Sequence, residues 1–149
     1  MKIQSVKAFY PNYKGGGAWR SHLWQIVVRV ETDVGLIGYG YGGGGEASLP
    51  IVNGHFHELL EGTVVNSVED IDSIWDRLYF ESIPYGRKGI AMMALSGVDL
   101  ALWDLLGKAE GKPVAALISD DLKTDIACYG TGRDAEYHAE SGYYGTKTP

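Results

Sequence analysis

The sequence predicts an α+β protein: a three-stranded antiparallel sheet, then a helical bundle, then the first strands of an unfinished β/α series. Three observations predict it. Extended runs with a hairpin turn between them fill the first forty positions, and apolar residues at three- and four-residue steps fill 46–109. After Asp120-Asp121, short extended runs flank a helical turn.

The first strand, residues 2–10, is a weak one that ends in Phe9-Tyr10. The second, 22–32, is stronger: Trp24, Ile26, Val28 and Val30 fall on one face and Gln25, Arg29 and Glu31 on the other. Thr32-Asp33-Val34-Gly35 is a turn into Leu36-Ile37-Gly38-Tyr39-Gly40, and together these read as a hairpin. Helical spacing follows at 46–61 through Leu49, Val52, Phe56, Leu59 and Leu60. Ser67 is a good N-cap for the next helix, with Glu69 and Asp70 in its first turn. Ile71, Ile74, Trp75, Leu78 and Tyr79 mark its inner face, and Pro84 and Gly86 end it.

A third helix, about 87–109, carries a stripe of Ile90, Ala94, Val98, Ala101, Leu102 and Leu105. Met93, Leu95, Leu100 and Leu106 spread apolar character round it, as in a helix buried by several neighbours. Gly111 and Pro113 close it. Beyond a turn at 113–118, residues 124–130 read as a strand, 134–141 as a helical turn or two, and 142–147 as another strand. Cys128, inside the first of these runs, reads as a buried, inert thiol.

With 149 residues the chain is long enough for a real core, and 45% hydrophobic against 21% charged residues is ordinary for a globular domain. A net charge of −6 provides no basic stripe for a phosphate backbone, which argues against nucleic acid. One cysteine excludes an internal disulfide and fits a reducing cytoplasm. Neither a signal-like N-terminus nor a run approaching roughly 20 apolar residues is present, so no membrane is expected.

The most specific stretch is Ala94-Leu95-Ser96-Gly97-Val98-Asp99-Leu100-Ala101-Leu102-Trp103-Asp104-Leu105-Leu106-Gly107-Lys108, with Gly111-Lys112-Pro113-Val114 after it. It resembles the signature helix of the enolase superfamily, in the mandelate racemase and muconate lactonizing branch. Thr32 through Gly40 is similar to the second hairpin of that branch, and the order of elements agrees along essentially the whole chain. The tail, Cys128–Arg133 and Gly142–Pro149, is similar to the acid-sugar dehydratases of the L-rhamnonate type. Two departures stand out. Ser119-Asp120 replaces the usual Gly-Gly, and Pro149 replaces the second lysine of a Lys-x-Lys motif whose first lysine matches Lys147. Proline takes no proton, so the resemblance favours a dehydratase over a two-base racemase.

The resemblance implies an enolase-type N-terminal capping domain over 1–120, and the start of a C-terminal β/α (TIM-like) barrel over 121–149. Only 26 residues follow Lys123, against roughly 200 or more for a complete barrel. The chain by itself is therefore expected to be inactive, as part of a larger enzyme. The implied chemistry is removal of the proton α to a carboxylate and loss of a β-hydroxyl, with Mg²⁺ holding the charge that develops. Enolase-superfamily sites of this kind are a known example of a Lys or His base acting with Mg²⁺. The acidic metal ligands of the family lie on later barrel strands, so no residue of this chain is a metal or catalytic candidate.

In the family two capping-domain loops close over the barrel mouth and select the substrate. The first corresponds here to 13–22, where Gly15-Gly16-Gly17 accompanies Tyr13, Trp19, Arg20 and His22. The second corresponds to the glycine run 40–45, which contains Tyr41 and is followed by Glu46. Arg133 and Lys147 fall at ends of barrel strands, where functional residues gather. These eight residues are the substrate-binding candidates for a sugar-acid carboxylate. The expected partners are that substrate, the rest of the barrel and, as often in the family, further copies of the chain in a homo-oligomer.

Other readings compete with these. Gly40 through Gly45 satisfies G-x-G-x-x-G, but it follows the return arm of a hairpin instead of the first strand of a βαβ unit, so a mobile lid loop is preferred to a dinucleotide site. Asp99 and Asp104, five apart, share a helix face poorly and read as structural, not as an acid/base pair. His55 and His57, two apart on a helix, make a poor metal pair. At the level of function, a racemase, epimerase or cycloisomerase of the same superfamily is the alternative, and a non-catalytic binding or assembly module is the alternative from another class.

Overall fold

A computed structural model describes residues 1–11 and 24–148. The chain divides into two compact units, Met1–Ile118 and Ser119–Pro149. The first opens with three strands, β1 (Ile3–Phe9), β2 (Ile26–Thr32) and β3 (Ile37–Gly42), in spatial order β1-β2-β3. Both pairings are antiparallel, with Val28 opposite Ala8 on one side and Gly40 on the other. Ile26, Val28 and Val30 are fully buried, as their alternation demands. Trp24 departs from that face. Its φ is 49°, a left-handed value that turns the chain out of the strand and leaves the ring exposed.

From Gly45 to Leu60 the chain is helical but irregular. A 3₁₀ turn (Gly45–Ser48) leads to a π-helical stretch (Ile51–Phe56) and then α1 (His57–Leu60). The expected faces hold, with Val52, Phe56 and Leu60 buried. This segment also covers the outer edge of β1. The Asn53 side-chain oxygen accepts from the Ala8 N–H at 2.6 Å, and its amide donates to the Ala8 carbonyl at 3.2 Å. His57 Nδ1 accepts from the Val6 N–H at 3.3 Å. A bare strand edge is a template for unwanted pairing; here helix side chains occupy it.

Helix α2 (Val68–Ser82) begins as expected, with Ser67 Oγ accepting from the Asp70 N–H at 3.3 Å. Helix α3 (Ile90–Glu110) starts after Gly89, whose φ of 64° excludes it from the helix, and stops at Gly111, also left-handed. It packs on β3, β2 and α2. The stripe from Ala94 to Leu105 is buried, but Ile90, placed in that stripe by its spacing, is exposed along with Met93 and Leu100. By length and mean composition alone α3 is apolar enough to cross a membrane, although Ser96, Asp99 and Asp104 interrupt its apolar run. Its apolar character instead serves the core, since ten of its residues are buried within this unit. A short α4 (Val114–Ile118) ends the unit.

In the second unit β4 (Tyr129–Thr131) and β5 (Gly145–Lys147) pair in parallel, joined through α5 (Ala135–Glu140). This is one βαβ unit, as the pattern predicted, but β4 is shorter than the expected 124–130. Cys128 lies before it and is exposed, correcting the buried-thiol reading. An apolar alternation buries a side chain only where a second layer covers it, and Ile126 beside Cys128 is likewise exposed.

Candidate functional site

The glycine run is not one loop. Gly38, Gly40 and Gly42 are strand residues whose missing side chains let β3 lie directly on α3. A β-carbon at Gly40 would strike the Gly97 carbonyl, and one at Gly42 the Met93 carbonyl. Gly97 returns the approach: its own β-carbon would come within 2.8 Å of Val28 Cγ2. Half of the dinucleotide-like motif is therefore a packing groove, and the lid reading applies at most to Gly43–Gly45.

That remaining loop is held firmly. The Gly43 N–H donates to the Met93 carbonyl at 3.3 Å, and Ser48 Oγ donates to the Gly43 carbonyl at 2.6 Å. The Gly45 N–H donates to the Trp24 carbonyl at 2.6 Å. Gly44 and Gly45 have φ of 86° and 55°, values glycine adopts without a side-chain clash. Trp24 adopts a similar φ at a cost of about 1–2 kcal/mol, so its neighbours must hold it there. Such strain gathers at functional sites. Its ring lies against Gly45 and leaves a cleft of about 350 Å³ lined by Trp24, Gly43, Gly44, Ala47, Gly89, Ile90 and Met93.

Tyr41 and Glu46 flank this loop and are exposed, but neither lines the cleft. Tyr41 alternates with Gly40 and Gly42 and so faces away from α3. Tyr13, Trp19, Arg20 and His22 lie outside the described residues. In the second unit, Thr131 pairs with Lys147, and the Gly132 N–H donates to the Lys147 carbonyl at 3.0 Å. Arg133 and Lys147 thus sit together at the C-terminal end of the two parallel strands, both exposed. His138, buried against Gly130, contacts Thr146 Oγ1 at 3.1 Å through Nδ1 and holds α5 to β5.

Of the acidic residues of α3, Asp104 is tied to the sheet. Asp104 accepts from the Tyr39 N–H at 2.7 Å, and Lys108 donates both to Asp104 and, at 2.9 Å, to the Ile37 carbonyl. These two side chains close the outer edge of β3, much as Asn53 and His57 close that of β1. Asp99 is half-buried, and burial raises its carboxyl above the ordinary value; Asp72 on α2 adds to this, while a hydrogen bond with Trp103 opposes it. His55 Nδ1 meets the Tyr85 hydroxyl at 2.8 Å, so both histidines of that helix have structural partners. Partial burial raises Tyr85 as well. Among the described residues no three His, Cys, Asp or Glu side chains converge to hold a metal.

The cleft was missed by sequence reasoning because its walls are sequence-distant. Spacing puts Ile90 in the core and Trp24 on a strand face; only the glycine run points to the place.

Comparison with known proteins agrees with this architecture. The family model described as mandelate racemase / muconate lactonizing enzyme, N-terminal domain, matches residues 20–119. A provisionally named L-rhamnonate dehydratase from Caldivirga maquilingensis is 37% identical over 99% of the chain, which spans 37% of that protein's length. The crystal structure of rhamnonate dehydratase from Gibberella zeae complexed with Mg superposes with a TM-score of 0.85 at 29% identity, covering 99% of the chain and 44% of the other. A mandelate racemase/muconate lactonizing protein from Paracoccus denitrificans, complexed with magnesium, gives 0.71 at 31% identity, over 87% of the chain and 33% of its own length.

Proposed function

The chain belongs to the mandelate racemase / muconate lactonizing enzyme family, carrying its N-terminal domain, and on that premise we propose that it is the capping and specificity part of a Mg²⁺-dependent acid-sugar dehydratase. The first unit is the capping domain, and the parallel β4–α5–β5 piece is the start of the barrel. The observation that carries this is the fold likeness to a rhamnonate dehydratase along 99% of the chain.

The reaction removes the proton α to a carboxylate and expels a β-hydroxyl, leaving a 2-keto-3-deoxy acid. A divalent cation would hold the charge that develops on the carboxylate oxygens. Its acidic ligands are expected on later barrel strands, as the family resemblance implies. The chain's own contribution is recognition. Arg133 and Lys147 place two cations at the strand ends, suited to an anionic substrate. Pro149 in place of a second lysine favours dehydration over two-base racemisation. Assembly as a homo-oligomer and residence in the cytoplasm complete the reading, the latter supported by a single unpaired cysteine.

The test is a chimera in which the chain replaces its matched stretch in the Caldivirga maquilingensis relative. Mg²⁺-dependent formation of a 2-keto-3-deoxy acid from L-rhamnonate is expected, and Lys147→Ala should lower kcat/KM by at least tenfold. A chimera that folds and assembles but dehydrates no sugar acid overturns the proposal. Racemisation at C2 without loss of water would support the epimerase reading instead.

A further inference from the structure

We infer that His138 is the positioning residue of Lys147: by gripping Thr146 from behind the strands it fixes β5 against β4, and so the side on which the Lys147 ammonium stands. The inference rests on the reading above, in which Lys147 meets the substrate, and adds what holds it there.

Among the described residues His138 is the only buried titratable side chain, 8% exposed, and the proposed reaction makes no use of it. Its ring stands where a side chain is missing. A β-carbon at Gly130 would overlap the ring, and one at Gly132 would come within 3.1 Å of Cε1. On the other side Nδ1 meets Thr146 Oγ1 at 3.1 Å, and the Tyr143 ring closes edge-on with its centroid 5.6 Å away. The backbone is held as well: the His138 carbonyl accepts from the Tyr143 N–H at 3.0 Å. One imidazole therefore touches both strands, β4 through the space at Gly130 and β5 through a hydroxyl.

Side chains alternate along a strand, so with Thr146 turned to α5, Lys147 faces the opposite way. Thr131, its ladder partner, shares that face. The ladder is only three residues long on each strand. A parallel pair this short specifies its register weakly, and a slip of one residue would turn Lys147 into α5. The ring fits on β4 only where no β-carbon stands in the way, which ties α5 to one position there. The Thr146 hydroxyl ties the same ring to one position on β5. Together they select the pairing of Thr131 with Lys147 and set the Lys147 carbonyl on the Gly132 N–H at 3.0 Å. A displacement of about 1 Å in a substrate-positioning group can cost about a hundredfold in rate, so a grip behind Lys147 is felt by the substrate in front of it.

The closing experiment uses the chimera described above and compares Thr146→Val, which keeps the shape and removes the hydroxyl, with Thr146→Ser, which keeps the hydroxyl. Each is made alone and together with Lys147→Ala. Thr146→Val should lower kcat/KM by about tenfold, and Lys147→Ala should then cost less than about threefold more, because the lysine is already out of place. Thr146→Ser should stay near the parent rate and keep the full loss on Lys147→Ala. His138→Leu, which releases the grip from the other side, should uncouple Lys147 as Thr146→Val does. A merely structural Thr146 would leave the two losses multiplicative; that result, or equal uncoupling by Thr146→Ser, overturns the inference and leaves the dehydratase reading intact. Hydrogen exchange at the Gly132 amide supplies a readout free of activity. It should be about tenfold faster in Thr146→Val than in Thr146→Ser as the ladder loosens, and equal rates overturn the inference. If the chimera folds but dehydrates nothing, the dehydratase reading falls, and the exchange contrast alone decides whether His138 sets the position of Lys147.

Discussion

At the scale of single residues, the polar groups of the first unit answer to the sheet more than to any chemistry. Asp104, with Lys108, and Asn53, with His57, close opposite edges of one three-stranded sheet. Asp99 differs, because burial raises its carboxyl above the ordinary value of 3.8. A raised carboxyl binds its proton more readily in the folded than in the unfolded chain. Stability from this group therefore falls as pH climbs through the window just above 3.8, and is lowest once Asp99 is ionised in both states. Asp99→Asn should consequently melt at a higher temperature than the parent at pH 7, with the gap closing toward pH 4. Thermal scans across that range check it, and a lower midpoint for the variant at pH 7 would refute it. The five-residue spacing of Asp99 and Asp104 argues against an acid/base pair; that Asp104 serves the Tyr39 N–H is not readable from it.

Between elements, the contact that organises the molecule is α3 on β3. The sequence shows Gly38, Gly40 and Gly42 alternating along a strand, and Gly97 and Ala101 one turn apart along a helix. Neither pattern names the other as its partner. Once packed, the two backbones approach so closely that only glycine fits, as the clash of a β-carbon at Gly40 with the Gly97 carbonyl makes plain. Gly40→Ala should cost about 1–3 kcal/mol by overpacking. Gly54→Ala, on a helical stretch with no atom within 4 Å of the added carbon, should be neutral or stabilising by up to about 1 kcal/mol. Denaturant unfolding of the two variants measures the contrast, and similar losses at both positions would show that close approach is not what selects Gly40. The same contact explains why the glycine run misleads when read as a nucleotide motif: its first half is spent on packing.

For the whole molecule, the first unit has its own core, built from β1–β3, the 45–60 segment, α2 and α3. A chain ending at Ile118 is expected to unfold in one cooperative transition, followed by circular dichroism and calorimetry. Retained far-ultraviolet signal with lost near-ultraviolet signal and strong dye binding would contradict that. The sequence by itself determined the order of elements, the N-cap at Ser67, the stop at Gly111, the βαβ tail and the family, because each depends on local periodicity, cap chemistry or a contiguous motif. Only the tertiary structure decided that Cys128 is exposed, that Ile90 and Trp24 leave the core, and that an apolar cleft opens between 24, 43–47 and 89–93. Burial is a property of what lies opposite a side chain, and one-dimensional spacing records only which way that side chain points.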